Sequence, residues 1–161
     1  MQESFSALGV SARVVRVLER RGITAPFAVQ QLVLPDALAG LDVLAASPTG
    51  SGKTLAFGIP LVERIAAPRG GPAAVVLVPT RELASQVVEE LEPLAAACSL
   101  RIAAVYGGTS VGEQAKRARA AQILVATPGR LNDLIERRLV SLREVRMLVL
   151  DEADRIEAPY S

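Results

Sequence analysis

Ser47-Pro48-Thr49-Gly50-Ser51-Gly52-Lys53-Thr54 is the stretch that decides the fold. It follows an apolar run, Leu41-Asp42-Val43-Leu44-Ala45-Ala46, and precedes Leu55-Ala56-Phe57-Gly58-Ile59-Pro60-Leu61-Val62. The pattern predicts a strand, a glycine-rich turn and a helix. Such a turn leaves several backbone N–H groups pointing into one hollow, at the positive end of a helix dipole, where a polyphosphate fits. Gly50 and Gly52 let the backbone come close to the phosphates. Lys53 reaches the terminal phosphates, and the Thr54 hydroxyl is a ligand for Mg²⁺. Ser47 stands where the general pattern has its first glycine. The chain has two lysines, Lys53 and Lys116, against sixteen arginines, so a lysine at this position in so arginine-biased a chain is informative.

The 161 residues amount to one domain's worth of chain, enough to bury a good core. Half of the residues are apolar and 3% are aromatic, so that core must be built from Ala, Val, Leu and Ile. The net charge of +1 argues against a broad electrostatic clamp on nucleic acid and leaves room for local contacts from backbone amides and a few arginines. The absence of histidine removes His-based triads, His metal sites and His general bases. One cysteine, Cys98, allows no disulfide within the chain, which fits a reducing cytosol and a cytoplasmic location. No signal peptide and no membrane-spanning apolar run is present.

Ahead of the loop, Val14, Val15 and Leu18 recur at helical spacing, with Ser11 as the expected N-cap and Gly22 as the stop. Pro26 is expected to open a second helix, carrying Gln30 in its first turns and Leu32, Leu34 and Leu38 on an apolar face. A glutamine amide offers donors and an acceptor in one plane, which matches a purine edge carrying both. After the loop, apolar strands are expected at 73–78, 101–105, 122–126 and 145–150, alternating with helices that end near 67, 98, 120 and 138. That alternation marks a parallel α/β sheet, whose ligands lie beyond the carboxyl ends of the strands. The residues at those ends are Thr80 and Arg81, Gly107 and Gly108, Thr127, Gly129 and Arg130, and the acidic cluster Asp151, Glu152 and Asp154. Asp151 suits the metal and Glu152 the attacking water in phosphoryl transfer.

These motifs, in this order, resemble the first RecA-like lobe of a DEAD-box ATP-dependent RNA helicase. Phe5 with Gly22–Gln30 is similar to the family's adenine-reading Q motif. Ser47–Thr54 resembles its phosphate loop, Pro79–Ala84 reads PTRELA, Gly107-Gly108 is a glycine doublet, Thr127–Arg130 reads TPGR and Asp151–Asp154 reads DEAD. The resemblance divides the chain into a Q-motif segment, residues 3–31, and the N-terminal part of a helicase ATP-binding domain, residues 32–161. It implies ATP and Mg²⁺ as ligands. Phe5 and Gln30 would select adenine, and Ser47, Pro48, Thr49, Gly50, Ser51, Gly52, Lys53 and Thr54 would hold the phosphates. Thr54 and, through water, Asp151 would hold the metal. Lys53, Asp151 and Glu152 would be catalytic, and Asp154 would couple motifs. Thr80, Arg81, Gly107, Gly108, Thr127, Gly129 and Arg130 would grip the RNA backbone without reading sequence.

In the family's pattern the DEAD strand is followed by a Ser-Ala-Thr strand, which lies between the phosphate-loop strand and the DEAD strand, and then by a second RecA-like lobe. Neither segment is present in these 161 residues, so the chain is expected to be an incomplete piece of a helicase, with a gap in its sheet and little turnover alone. Two alternatives stand beside this reading. One is a non-catalytic RNA-binding or interaction remnant of such a helicase. The other is a P-loop ATPase acting on DNA or protein, against which PTRELA, TPGR and the Q-motif glutamine argue.

Overall fold

The computed structural model describes residues 3–45, 52–65 and 70–156. Ser47, Pro48, Thr49, Gly50 and Ser51 therefore lie outside the described residues. The chain forms two compact units, Met1–Arg64 with Pro93–Ser99, and Ile65–Glu92 with Leu100–Ser161.

The first unit is helical. α1 (Ala12–Arg20) buries Val14, Val17 and Leu18, the face that the helical spacing marks out. It stops at Gly22, with the Ile23 N–H returning to the Leu18 carbonyl at 2.9 Å. Ser11 holds the N-cap position but does not cap the helix with its side chain. Its hydroxyl instead donates to Glu63 Oε1 at 2.7 Å and its N–H to Oε2 at 2.9 Å, both charge-assisted bonds. α2 spans Ala28–Leu38, so Pro26 lies before the helix rather than in its first turn, and Phe27 takes the N-cap. Val33 and Leu34 are buried, whereas Leu32, expected on the apolar face, is 75% exposed. α3 (Lys53–Arg64) packs against α2 and buries Leu55, Ile59 and Val62.

The second unit is a parallel sheet with helices between its strands. β1 (Ala74–Leu77), α4 (Arg81–Ala97), β2 (Ile102–Val105), α5 (Val111–Ala120), β3 (Ile123–Ala126), α6 (Pro128–Glu136) and β4 (Met147–Leu150) follow in chain order. α4 enters the first unit with its last turn. The strand order is β2-β3-β1-β4, and every pair is parallel. β1 and β3 are apolar throughout because both of their faces are covered. Val75, Val105, Leu124 and Leu134 sit in the centre of this core.

Two features mark the edge of this sheet and the segment ahead of Lys53 among the described residues. Leu41–Ala45 joins no ladder and has no strand conformation, with Leu41, Val43 and Leu44 exposed. The strand expected to feed the phosphate loop is thus not formed over its described residues. A strand needs a neighbour for its backbone groups, and among the described residues none pairs with this one. β4, in turn, is an edge strand among the described residues, with Leu148 62% and Leu150 54% exposed. The Asp151 N–H donates to the Leu77 carbonyl at 2.9 Å. In a parallel ladder alternate residues bond to the same side, so Leu148 and Leu150 turn their backbone groups toward the open edge.

Candidate functional site

In the first unit the site is built around a buried amide. Gln30 is 1% exposed. Its Oε1 accepts the Phe27 N–H at 2.9 Å, and its Nε2 donates to the Gly52 carbonyl at 2.9 Å. Phe27 has no polar side-chain atom with which to accept the Gln30 N–H, so only the Gln30 half of a capping box, its Oε1 to the Phe27 N–H, is made. Gly52 has φ +84°, and a Cβ there would collide with Gln30 Nε2 and Phe27 Cδ2, so the position requires glycine. Lys53 and Thr54 are half-buried in the first turn of α3, where backbone N–H groups and the helix dipole favour an anion. Phe5 is 3% exposed and belongs to the core of its unit.

In the second unit the four strands run parallel, so their carboxyl ends open on one edge. Thr80 and Arg81 follow β1, Tyr106–Thr109 follow β2, Thr127–Arg130 follow β3, and Asp151–Asp154 follow β4. Thr80 Oγ1 accepts the Leu83 N–H at 3.2 Å and opens α4. The Thr127 N–H donates to the Val105 carbonyl at 2.9 Å, and Pro128 starts α6. The Arg81 guanidinium lies over the Tyr106 ring, 5.2 Å from its centroid. Gly108, at φ +86°, leaves the space beside Arg81, since a Cβ would stand 3.0 Å from Arg81 Nη1. Arg130 Nη1 donates to the Thr109 carbonyl at 3.2 Å and to Gln114 Oε1 at 3.0 Å. The structure thus brings Arg81, Gly108 and Arg130 into one cluster through Tyr106 and Gln114. Neither of those two residues stands out in the sequence as part of the site. The available signal was Gln114 itself, a polar residue on the helical face that also carries buried Ala115 and Ala118.

Asp151 is 6% exposed at the end of β4. Glu152 is half-buried and takes a left-handed backbone conformation, φ 56°. That conformation is costly for a residue with a Cβ and is typical of functional turns. Asp154 is exposed in the 3₁₀ turn Ala153–Arg155. Among the described residues no group of three or more Cys, Asp and Glu side chains could hold a metal by itself. Asp151 places a hard oxygen donor in a nearly closed position at the end of β4.

Comparison with known proteins identifies the family. The DEAD/DEAH box helicase family profile matches residues 27–159. The chain is 43% identical over 171 residues to DEAD-box ATP-dependent RNA helicase 52A of Oryza sativa subsp. japonica, covering 96% of this chain and 28% of that protein. It is 40% identical over 153 residues to DEAD-box ATP-dependent RNA helicase CshA of Streptococcus pneumoniae, covering 94% of this chain and 29% of that protein. It therefore spans less than a third of the length of these relatives. The crystal structure of a DEAD box protein from the hyperthermophile Methanococcus jannaschii superposes with a TM-score of 0.90 at 38% identity, over 96% of this chain and 43% of that one. The parallel sheet is that of a RecA-like helicase domain, and the chain belongs to the DEAD/DEAH box helicase family.

Proposed function

We propose that this chain is the ATP- and RNA-binding lobe of an RNA-dependent ATPase that, in its full-length parent, couples hydrolysis to local unwinding of RNA duplexes. The observation that carries this reading is the single carboxyl edge on which Arg81, Gly108, Arg130, Asp151 and Glu152 all emerge. Gln30 and Phe5 serve adenine selection, and Ser47–Thr54 serve the triphosphate. Lys53 opposes the negative charge of the terminal phosphates. Thr54 and Asp151 would hold Mg²⁺, which when bound neutralises charge on the β and γ phosphates. Glu152 orients or deprotonates the attacking water. Thr80, Arg81, Gly107, Gly108, Thr127, Gly129 and Arg130 grip the sugar-phosphate backbone of single-stranded or duplex RNA, which carries no sequence information. Asp154 couples the acidic turn to the rest of the machinery. A second RecA-like lobe would complete both sites. A cytoplasmic location is supported by the single buried Cys98.

A second reading, a non-catalytic RNA-binding or interaction remnant, is favoured for the isolated chain by two observations among the described residues. β4 has an open edge and Leu41–Ala45 forms no strand. Binding to RNA and DNA homopolymers of equal length tests the main proposal. RNA should bind better, and Arg81→Ala or Arg130→Ala should weaken all RNA sequences about equally. Equal affinity for DNA would contradict it. Nucleotide binding with RNA-stimulated turnover by the 161-residue chain would exclude the remnant reading.

A further inference from the structure

Gln114 is the one polar side chain of α5 that is buried, at 6% exposure. All of its bonds run to the candidate RNA rim. Its Oε1 accepts the Tyr106 N–H at 3.2 Å and Arg130 Nη1 at 3.0 Å. Its Nε2 donates to Thr109 Oγ1 at 2.7 Å. The same Arg130 nitrogen donates to the Thr109 carbonyl, and the Tyr106 ring carries the Arg81 guanidinium. One amide therefore fixes the two ends of the Tyr106–Thr109 loop, holds Arg130 directly, and holds the backbone of the residue whose ring Arg81 rests on. Two long arginine side chains normally lose considerable rotamer freedom on binding a phosphate, and holding them beforehand lowers that cost.

We infer that Gln114 is a positioning residue, which registers Arg81 and Arg130 to each other as a preset pair of donors for successive phosphates of an RNA strand. The inference rests on the RNA-binding reading above. A neutral amide suits this task. It accepts from a guanidinium without neutralising it, so the charge of Arg130 stays available for a phosphate. A carboxylate at the same place would keep both acceptor bonds but would compete with the phosphate for Arg130.

The test is a double-mutant cycle on the 161-residue chain, with binding of a fluorescein-labelled 15-nucleotide oligo(U) followed by anisotropy and each melting temperature recorded. Arg130→Ala and Gln114→Met should each weaken binding, by about threefold to tenfold. The double variant should lose clearly less than the product of the two single losses, because both act through the same guanidinium. Gln114→Glu should melt within about 2 °C of the parent and still bind more weakly. A purely structural residue would be restored by Glu in both measurements. Unchanged affinity in Gln114→Met, losses that multiply in the double variant, or parental affinity in Gln114→Glu would each overturn the inference while leaving RNA binding intact. If Arg81→Ala and Arg130→Ala both bound oligo(U) like the parent, the RNA reading would fall and this inference with it.

Discussion

Gln30 reaches from the first turn of α2 to the carbonyl of Gly52, at 2.9 Å, so the residue assigned to adenine also holds the residue immediately before Lys53. Its other end is occupied by the Phe27 N–H. In this state both ends of the amide are engaged within the protein, one lone pair and one N–H being left over. A base that is to be read by Gln30 must use those remaining groups or exchange with the internal ones. On the proposed function, base recognition and the start of α3 are linked through this one side chain.

Gln30→Ala should therefore damage both the fold and nucleotide binding. It leaves the Phe27 N–H and the Gly52 carbonyl without this partner at a site 1% exposed. The expected cost is about 2–3 kcal/mol, measured by urea unfolding. A change under about 0.5 kcal/mol would mean that the clamp does not hold the unit together.

Phe27 offers the opposite opportunity. It occupies the N-cap of α2 in extended backbone, φ −72° and ψ 164°, with no side-chain cap bond and 58% exposure. Phe27→Ser supplies the missing acceptor and gives up little buried surface. It should raise stability by about 1 kcal/mol in a urea titration. A destabilised variant would show that the ring's place beside Gly52 matters more than the cap.

Among the described residues Leu148 and Leu150 leave β4 an open apolar edge, the arrangement that natural sheets avoid by placing charge there. Leu148→Lys with Leu150→Lys should reduce self-association of the chain, followed by light scattering against concentration, with the melting temperature little changed because both side chains are already exposed. Undiminished association would place the adhesive surface elsewhere.

The thiol of Cys98 titrates above the ordinary thiol range, chiefly because burial disfavours the thiolate. The negative charge of Glu63 adds to this, and Arg13 opposes it through its charge and a hydrogen bond. In the unfolded chain the thiol ionises first as pH rises, so the unfolded state then binds fewer protons and stability falls with increasing pH. Urea melts at neutral and alkaline pH should show that fall, and Cys98→Ala should lessen it. Modification by a disulfide reagent at pH 8 should be slow in the native protein and fast in urea. Native reactivity equal to that of a free thiol would contradict the assignment.

Much of this architecture is legible in the sequence because its signals are local. The apolar runs at β1 and β3, the stop at Gly22 and the strand-end positions of Arg81, Arg130 and Asp151 follow from periodicity and punctuation. Where the reading fails, pairing decides the outcome. Leu41–Ala45 has strand composition, but a strand exists only with a neighbour to bond, and composition does not supply one. Pro26 looks like a helix opener, yet α2 begins only at Ala28 because Gln30 folds back onto the Phe27 N–H. Gln114 and Tyr106 escape notice for a different reason. Their importance lies in bonds to residues brought near by the sheet, which no spacing along the chain announces.

On the proposed function, Lys53 in the first turn of α3 and the buried amide of Gln30 together hold an adenosine nucleotide. Calorimetric titration of the 161-residue chain with ATP and with GTP, each with Mg²⁺, tests it most directly. ATP should bind at least about tenfold more tightly than GTP, a difference of about 1.4 kcal/mol, and Lys53→Ala should abolish the heat of binding. GTP bound as tightly as ATP, or ATP bound by Lys53→Ala as by the parent chain, would contradict it.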